Sequence, residues 1–300
     1  MTRHVLEIDD LTADDIARVL DLAEDAEHPQ ILAGQTVGLY FEKPSLRTRH
    51  SCETAVVQLA GHPVTFRADE IGPASRESIT DIAQVLSGYH AALGARVYDH
   101  HLLEELASAS SIPVINLLSD DAHPCQTLAD LLTMRQEWGS LDGKTVAWIG
   151  DFNNVARSLS LGLARSGMRL RIASPGGYGP SDEDVDRMVA AGMVAPPLVS
   201  DRPLEAVEGA DAVHTDIWAS MGQEDQAAAR HRAFEGFQVD DRVMAGASTH
   251  AVFMHCLPAH RGEEIAASVV DGPQSRVFPQ AHNRLHAFRG LLRFLLEDHA

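Results

Sequence analysis

Short apolar runs alternate with amphipathic stretches along most of this chain, and that alternation limits the folds open to it. The runs fall at Val37–Phe41, Val64–Arg67, Ala95–Tyr98, Val114–Leu117, Val146–Ile149, Leu170–Ala173, Ala212–Thr215 and Val252–His255. Segments of helical spacing lie between most of them, among them Ser78–Gly88, Leu102–Ser108 and Val155–Ser166. Strands separated by helices return by right-handed crossovers and lie parallel. The predicted class is therefore α/β, each sheet parallel and flanked by helices. The runs divide four and four about the turn-rich "EWGSLDGKT", Glu137–Thr145, which follows a predicted helix over Thr127–Arg135. Two domains are expected, 1–136 and 137–282, with the active site in a cleft between them. A last helix over Asn283–Glu297 is expected from the spacing of Leu285, Phe288, Leu292 and Leu295, and residues 283–300 are expected to pack back on the first domain.

Bulk properties narrow the function. Three hundred residues suffice for two ordinary domains. Asp and Glu outnumber Lys and Arg 43 to 24, a formal charge of −19 that disfavours a nucleic-acid partner. It still permits a small anion held in a local cationic cleft. No basic segment followed by an apolar stretch opens the chain, and no apolar run approaches the roughly 20 residues that span a bilayer. Three cysteines without paired spacing fit a reducing compartment. A cytoplasmic protein without a membrane partner is expected.

In open parallel sheets, ligands bind beyond the carboxyl ends of the strands. The groups found there are informative. Ser45, Arg47 and Thr48 follow the first run; Arg96 lies in the third; His123 and Gln126 follow the fourth in "HPCQ". Asn153 follows the fifth, Asp216 and Ser220 the seventh in "DIWASMG", and Cys256 the eighth in "HCLP". Singly, each has an ordinary explanation. Arg47 and Arg49 suit a solvated surface. His123 before Pro124 suits a turn, Cys256 a small buried apolar side chain, and Asp216 a helix cap. "GDFNN" is no nucleotide fingerprint, and His255 beside Cys256 would face opposite ways on a strand, against a shared metal. No metal or cofactor is expected. Together the groups describe cations in one half and polar or acidic groups in the other. In "PSLRTR", Ser45 is a good N-cap, so the unpaired N–H groups of the next turn, the helix dipole and the Arg47 fork suit a phosphate.

The segments "FEKPSLRTR", "HPCQTLADLLT", "DIWASMG", "HCLPAHRGEEI" and "NRLHA" resemble the carbamoyltransferases, in particular their ornithine-specific branch, in order from about Val37 to the last helix. The resemblance implies transfer of the carbamoyl group of carbamoyl phosphate to the side-chain amine of L-ornithine, giving L-citrulline and phosphate in arginine biosynthesis. It implies a carbamoyl phosphate domain followed by an amino-acid domain, and a homotrimer. It places Ser45, the Leu46 backbone, Arg47 and Thr48 on the phosphate, and Arg96, His123 and Gln126 on the carbamoyl and phosphate oxygens. It places Asn153, Asp216, Ser220 and Met221 on the α-amino and α-carboxylate groups of ornithine. Cys256 and Leu257 would line the reacting end, and Arg284 would contact carbamoyl phosphate. Thr48, Arg96 and His123 are candidate donors to the oxyanion, and Cys256 with Asp216 a candidate proton acceptor or relay. Arg96, His123 and Cys256 are the expected catalytic residues.

Some positions depart from the family pattern. Leu46 replaces a usual Thr, Glu70 falls near a common Gln in a longer loop, and His282 stands where an acidic residue is frequent. A modified ornithine or related amine is therefore an alternative acceptor, and a non-catalytic binding paralogue is the alternative of another class. The polar segment Gly222–Gly236 is expected to be a lid.

Overall fold

The computed structural model describes residues 2–71, 77–219 and 226–297. Residues up to Leu132, together with those from His282, form one compact unit, and Thr133–Ala281 form a second.

The first unit holds helices α1 (Ala13–Glu24), α2 (Leu46–Gln58), α3 (Ala68–Ile71), α4 (Ile79–Ser87) and α5 (His100–Ala109), and α6 (Pro124–Trp138) begins in it. Its strands are β1 (Thr36–Phe41), β2 (His62–Arg67), β3 (Ala92–Arg96) and β4 (Val114–Leu118), and they pair in parallel in the order β2-β1-β3-β4. Tyr40, Leu93, Ala95, Val97, Leu103 and Val114 are buried together in a core on this sheet. Gly94 leaves room for its neighbours: a Cβ there would lie 3.1 Å from both Leu117 and Leu39.

The second unit adds β5 (Thr145–Ile149), α7 (Asn154–Arg165), β6 (Arg169–Ala173), α8 (Asp182–Ala190), β7 (Leu198–Ser200), α9 (Pro203–Val207), β8 (Ala212–Thr215), α10 (Ala227–Ala233), α11 (Asp241–Gly246), β9 (Val252–His255) and α12 (Ala267–Val270). Its parallel sheet has the order β7-β6-β5-β8-β9, over a core that includes Ile149, Val213, Phe234, Phe253 and Ile265. The α/β class and parallel sheets are as the alternation predicted. The strand count is not: β7 makes the second sheet five-stranded. Its three residues, Leu198–Ser200, are largely exposed at the sheet edge and too few to stand out as an apolar run.

The last helix, α13 (Val277–Glu297), begins six residues before the predicted Asn283. Pro279 sits in its first turn, where the missing N–H costs nothing. Within the first unit, α13 lies against α1 so closely that a Cβ on Gly290 would meet Val19 O at 2.5 Å. Arg289 Nη2 donates to Ala23 O at 2.9 Å and Arg293 Nη1 pairs with Asp25 Oδ2 at 2.9 Å. These contacts fix the helix that carries Arg284.

Candidate active site

Both sheets reverse direction beside their first strand. In the first, β2 lies on one side of β1 and β3 on the other; in the second, β6 and β8 flank β5. Such switch points leave a crevice beyond the strand ends, because the loops of the two flanking strands turn to opposite faces.

In the first unit, Ser45 ends the loop after β1 and caps α2, its side chain accepting from Thr48 N–H at 3.3 Å. Thr48 is buried, and two guanidinium groups converge on its hydroxyl: Arg96 Nη1 at 3.4 Å and Arg284 Nη2 at 3.2 Å. Arg96 closes β3, where the register with β4 shifts between Ala95 and Arg96. Arg284 Nη1 also donates to Gln126 Oε1 and to His123 Nε2, the latter at 3.0 Å. Gln126 is oriented by its amide donating to Asp130 Oδ1 at 2.7 Å, one turn along α6.

A guanidinium only donates, so His123 Nε2 accepts and the ring carries its hydrogen on Nδ1. Burial, and then the charges of Arg284, Arg96 and Arg47, hold the His123 pKa well below the ordinary value. Lys43 is buried with its Nζ 4.1 Å from the Tyr98 ring centroid; burial and the nearby Arg96 charge lower its pKa. This cluster thus gathers cations around a neutral imidazole at the start of a helix. Like charges held at close quarters in a poorly hydrated site favour an anion of high charge.

The two arginines of "SLRTR" differ in their surroundings. Arg47 acts on His123, whereas Arg49 is an exposed partner of Glu53 at 2.8 Å. Leu46 is 71% exposed, so its side chain supplies nothing to the cluster. Glu70 is exposed and accepts from Arg67 N–H at 2.6 Å; His282 is exposed as well.

In the second unit, Asn153 follows β5 and caps α7, its Oδ1 accepting from Val155 N–H and Ala156 N–H at 3.0 and 3.1 Å. Its amide donates to Asp216 Oδ2 at 2.9 Å. The other oxygen, Asp216 Oδ1, receives the Cys256 thiol at 3.2 Å. One buried carboxylate therefore joins groups from the ends of β5, β8 and β9. The loop after β8 is held by Arg230 of α10, whose Nη1 donates to Trp218 O at 2.9 Å and pairs with Asp151 at 2.7 Å. Burial pushes the Asp151 carboxyl up in spite of that pair. Ser220 and Met221 lie outside the described residues, as does the start of the expected lid. From α10 onward that segment is anchored, with Arg230 and Phe234 buried.

The expectation that His255 and Cys256 face apart fails, because Cys256 lies just beyond the end of β9. Ligand atoms of Asp216, His255 and Cys256 fall within 4.8 Å of one another. These atoms already have protein partners, however. Leu257 N–H donates to His255 Nδ1 at 2.9 Å, His255 Nε2 faces Glu264 Oε1 at 3.2 Å, and the thiol donates to Asp216. Sequence reasoning missed Asp130, Arg230 and Glu264, although "HPCQTLADLLT" and "HCLPAHRGEEI" contain the first and last of them.

Comparison with known proteins agrees with this division of chemistry. The profile of the aspartate/ornithine carbamoyltransferase carbamoyl-P binding domain matches residues 3–136, and that of the family's Asp/Orn binding domain matches residues 142–295. Ornithine carbamoyltransferase from Haloquadratum walsbyi is 49% identical over 298 residues, covering 98% of each chain. The catabolic ornithine carbamoyltransferase of Halobacterium salinarum is 42% identical, covering 98% of this chain and 99% of its own. The solved structure of ornithine carbamoyltransferase from Pyrococcus furiosus superposes with a TM-score of 0.93 at 40% identity, over 98% of this chain and 97% of that one. The chain belongs to the aspartate/ornithine carbamoyltransferase family.

Proposed function

We propose that this enzyme transfers the carbamoyl group of carbamoyl phosphate to the side-chain amine of L-ornithine, forming L-citrulline and phosphate. The observation that carries the reading is the Arg284 fork, which donates to His123, Gln126 and Thr48 beside Arg96 at the capped start of α2. That arrangement suits a phosphate and the carbonyl oxygen joined to it. Ser45, the Leu46 N–H, Arg47 and Thr48 hold the phosphate; Arg96, His123, Gln126 and Arg284 hold the carbamoyl end.

The amine lone pair attacks the carbonyl carbon, and the carbonyl electrons move onto oxygen. Donors already in place for that oxyanion lower the barrier without reorganising, and each is typically worth about 3 kcal/mol. The intermediate collapses, the C–O bond to phosphate breaks, and phosphate leaves with the electron pair. The ammonium of an ornithine-like substrate, with a pKa near ~10.4, must first lose a proton. Asn153, Asp216, Ser220 and Met221 bind the amino acid. Asp216, which accepts from the Cys256 thiol, receives that proton directly or through Cys256 in this reading, and Leu257 lines the same end.

The role we favour is arginine biosynthesis in the cytoplasm. All three cysteines are free, and no helix among the described residues is long and apolar enough to cross a membrane. A homotrimer is the proposed assembly. Leu46 and Val57, 71% and 60% exposed, lie eleven residues apart and so on one face of α2, an apolar surface a second subunit would cover. Citrulline formation from ornithine and carbamoyl phosphate tests the activity. Acetylornithine, putrescine and lysine as rival acceptors test the specificity, and light scattering tests the trimer. No carbamoylated product with any of these acceptors would favour a non-catalytic binding protein.

A further inference from the structure

The turn that presents Cys256 is held from behind by a buried polar network. The Leu257 N–H donates to His255 Nδ1, which places the ring hydrogen on Nε2, facing Glu264 Oε1 at 3.2 Å. That same carboxylate oxygen accepts from His260 N–H at 2.6 Å. The segment from Leu257 to His260 is therefore tied at both ends to one pair of side chains. His255 and Glu264 are both 0% exposed.

The network extends across the sheet. The His255 N–H donates to Gln280 Oε1 at 2.9 Å, and Gln280 Nε2 lies 3.2 Å from His214 Nε2. His214 is in β8, two residues before Asp216. The ends of β8 and β9, which bear the two partners of the thiol–carboxylate bond, are thus tied to one another.

Two physical facts indicate a role beyond packing. Leu257 has φ +59°, a left-handed conformation that residues with a Cβ avoid and that persists only where the surroundings enforce it. A fully buried carboxylate loses its hydration, and apolar residues of equal volume stabilise a fold as well or better. We propose that Glu264 is a positioning residue: through His255 and the His260 amide it fixes the Cys256–Leu257 turn, and so the thiol against Asp216. The inference rests on the carbamoyl-transfer reading above.

The test compares Glu264→Ala, Glu264→Asp and Glu264→Gln in the full chain, with KM for each substrate, kcat and amide hydrogen exchange at Leu257. Misplacing a reacting group by about 1 Å costs roughly a hundredfold. Glu264→Ala should accordingly lower kcat/KM for ornithine about a hundredfold, leave KM for carbamoyl phosphate within about twofold, and speed exchange at Leu257. Gln keeps an acceptor in place and should restore the ornithine kcat/KM to within about fivefold of wild type. Asp, one methylene shorter, should lose about tenfold, and it decides the matter if the alanine variant does not fold. Wild-type ornithine kinetics in Glu264→Asp, equal losses for both substrates, or no recovery with Gln would overturn the proposal. A wild-type protein that makes no citrulline would overturn the carbamoyl-transfer reading, and this inference with it.

Discussion

His123 is held neutral by its surroundings, and that makes a stability prediction separable from catalysis. In the folded chain, burial and the Arg284, Arg96 and Arg47 charges depress its pKa well below 6.5. In the unfolded chain it titrates near its ordinary value, about 6.5. Below that pH the unfolded chain gains a proton that the folded chain refuses. The unfolded state is then favoured, and folding stability falls as pH falls until the folded pKa is reached. The limiting slope is about 1.4 kcal/mol per pH unit, and integration from pH 6.5 to pH 5.5 gives about 1 kcal/mol. His123→Asn removes the titration and keeps an oxygen able to accept from Arg284. Urea unfolding of both proteins at pH 6.5 and pH 5.5, at one protein concentration, isolates the effect, since other groups cancel in the difference. Wild type should lose about 1 kcal/mol more than the variant over that interval. Equal losses would mean that His123 is free to protonate in the folded protein, and the cationic cluster as described would be wrong.

Other expectations follow from single contacts. Thr48→Val removes the hydroxyl shared by Arg96 and Arg284 and should lower kcat/KM for carbamoyl phosphate about a hundredfold, or ~3 kcal/mol; steady-state kinetics within threefold of wild type would refute this. Cys256→Ala removes the thiol bound to Asp216 and should lower turnover about a hundredfold with a displaced pH–rate profile; unaltered values would exclude a relay through sulfur. Gly290→Ala sets a Cβ against Val19 O and should destabilise the protein by about 1–3 kcal/mol, read as a lower melting temperature. An unchanged melting temperature would show that α13 and α1 have slack.

Much of the framework was legible because parallel strands buried on both faces must be apolar, and these runs stand out between amphipathic helices. Where bulk was missing, the signal failed. The apolar run Ala95–Tyr98 marks the third strand three residues late, for β3 is Ala92–Arg96: Gly94 is small to admit Leu39 and Leu117, so the strand's first half shows little apolar mass. β7 is an exposed edge, and α1, well capped by Thr12, precedes the first apolar run and so lies outside the alternation. Candidate site residues stand out in the sequence where they cluster after strands or lie in a shared motif. Arg284 is 161 residues from His123, and only tertiary structure shows its fork closing on that ring. Glu264, Asp130 and Arg230 read in the sequence as ordinary charged residues, because a single chain does not reveal which charges are buried.

The three cysteines bear on which group attacks the carbonyl. A cysteine nucleophile must be a thiolate, with its pKa lowered by neighbouring positive charge. Cys125 lies in the motif that brings His123 into the cationic cluster, yet it is buried and donates to Asn116 O at 3.3 Å. Burial pushes it up to about 11 despite the nearby Arg284 charge. Burial likewise raises the pKa of Cys52. Cys256 is partly exposed, but its thiol donates to a carboxylate, and a negative partner opposes the thiolate. None of the three has the environment of an attacking sulfur. The reaction left to this arrangement is direct attack by the substrate's own amine. On the function proposed above, the cationic cluster would serve the oxyanion and the departing phosphate, and Asp216, with or without Cys256, would serve the proton that the amine gives up.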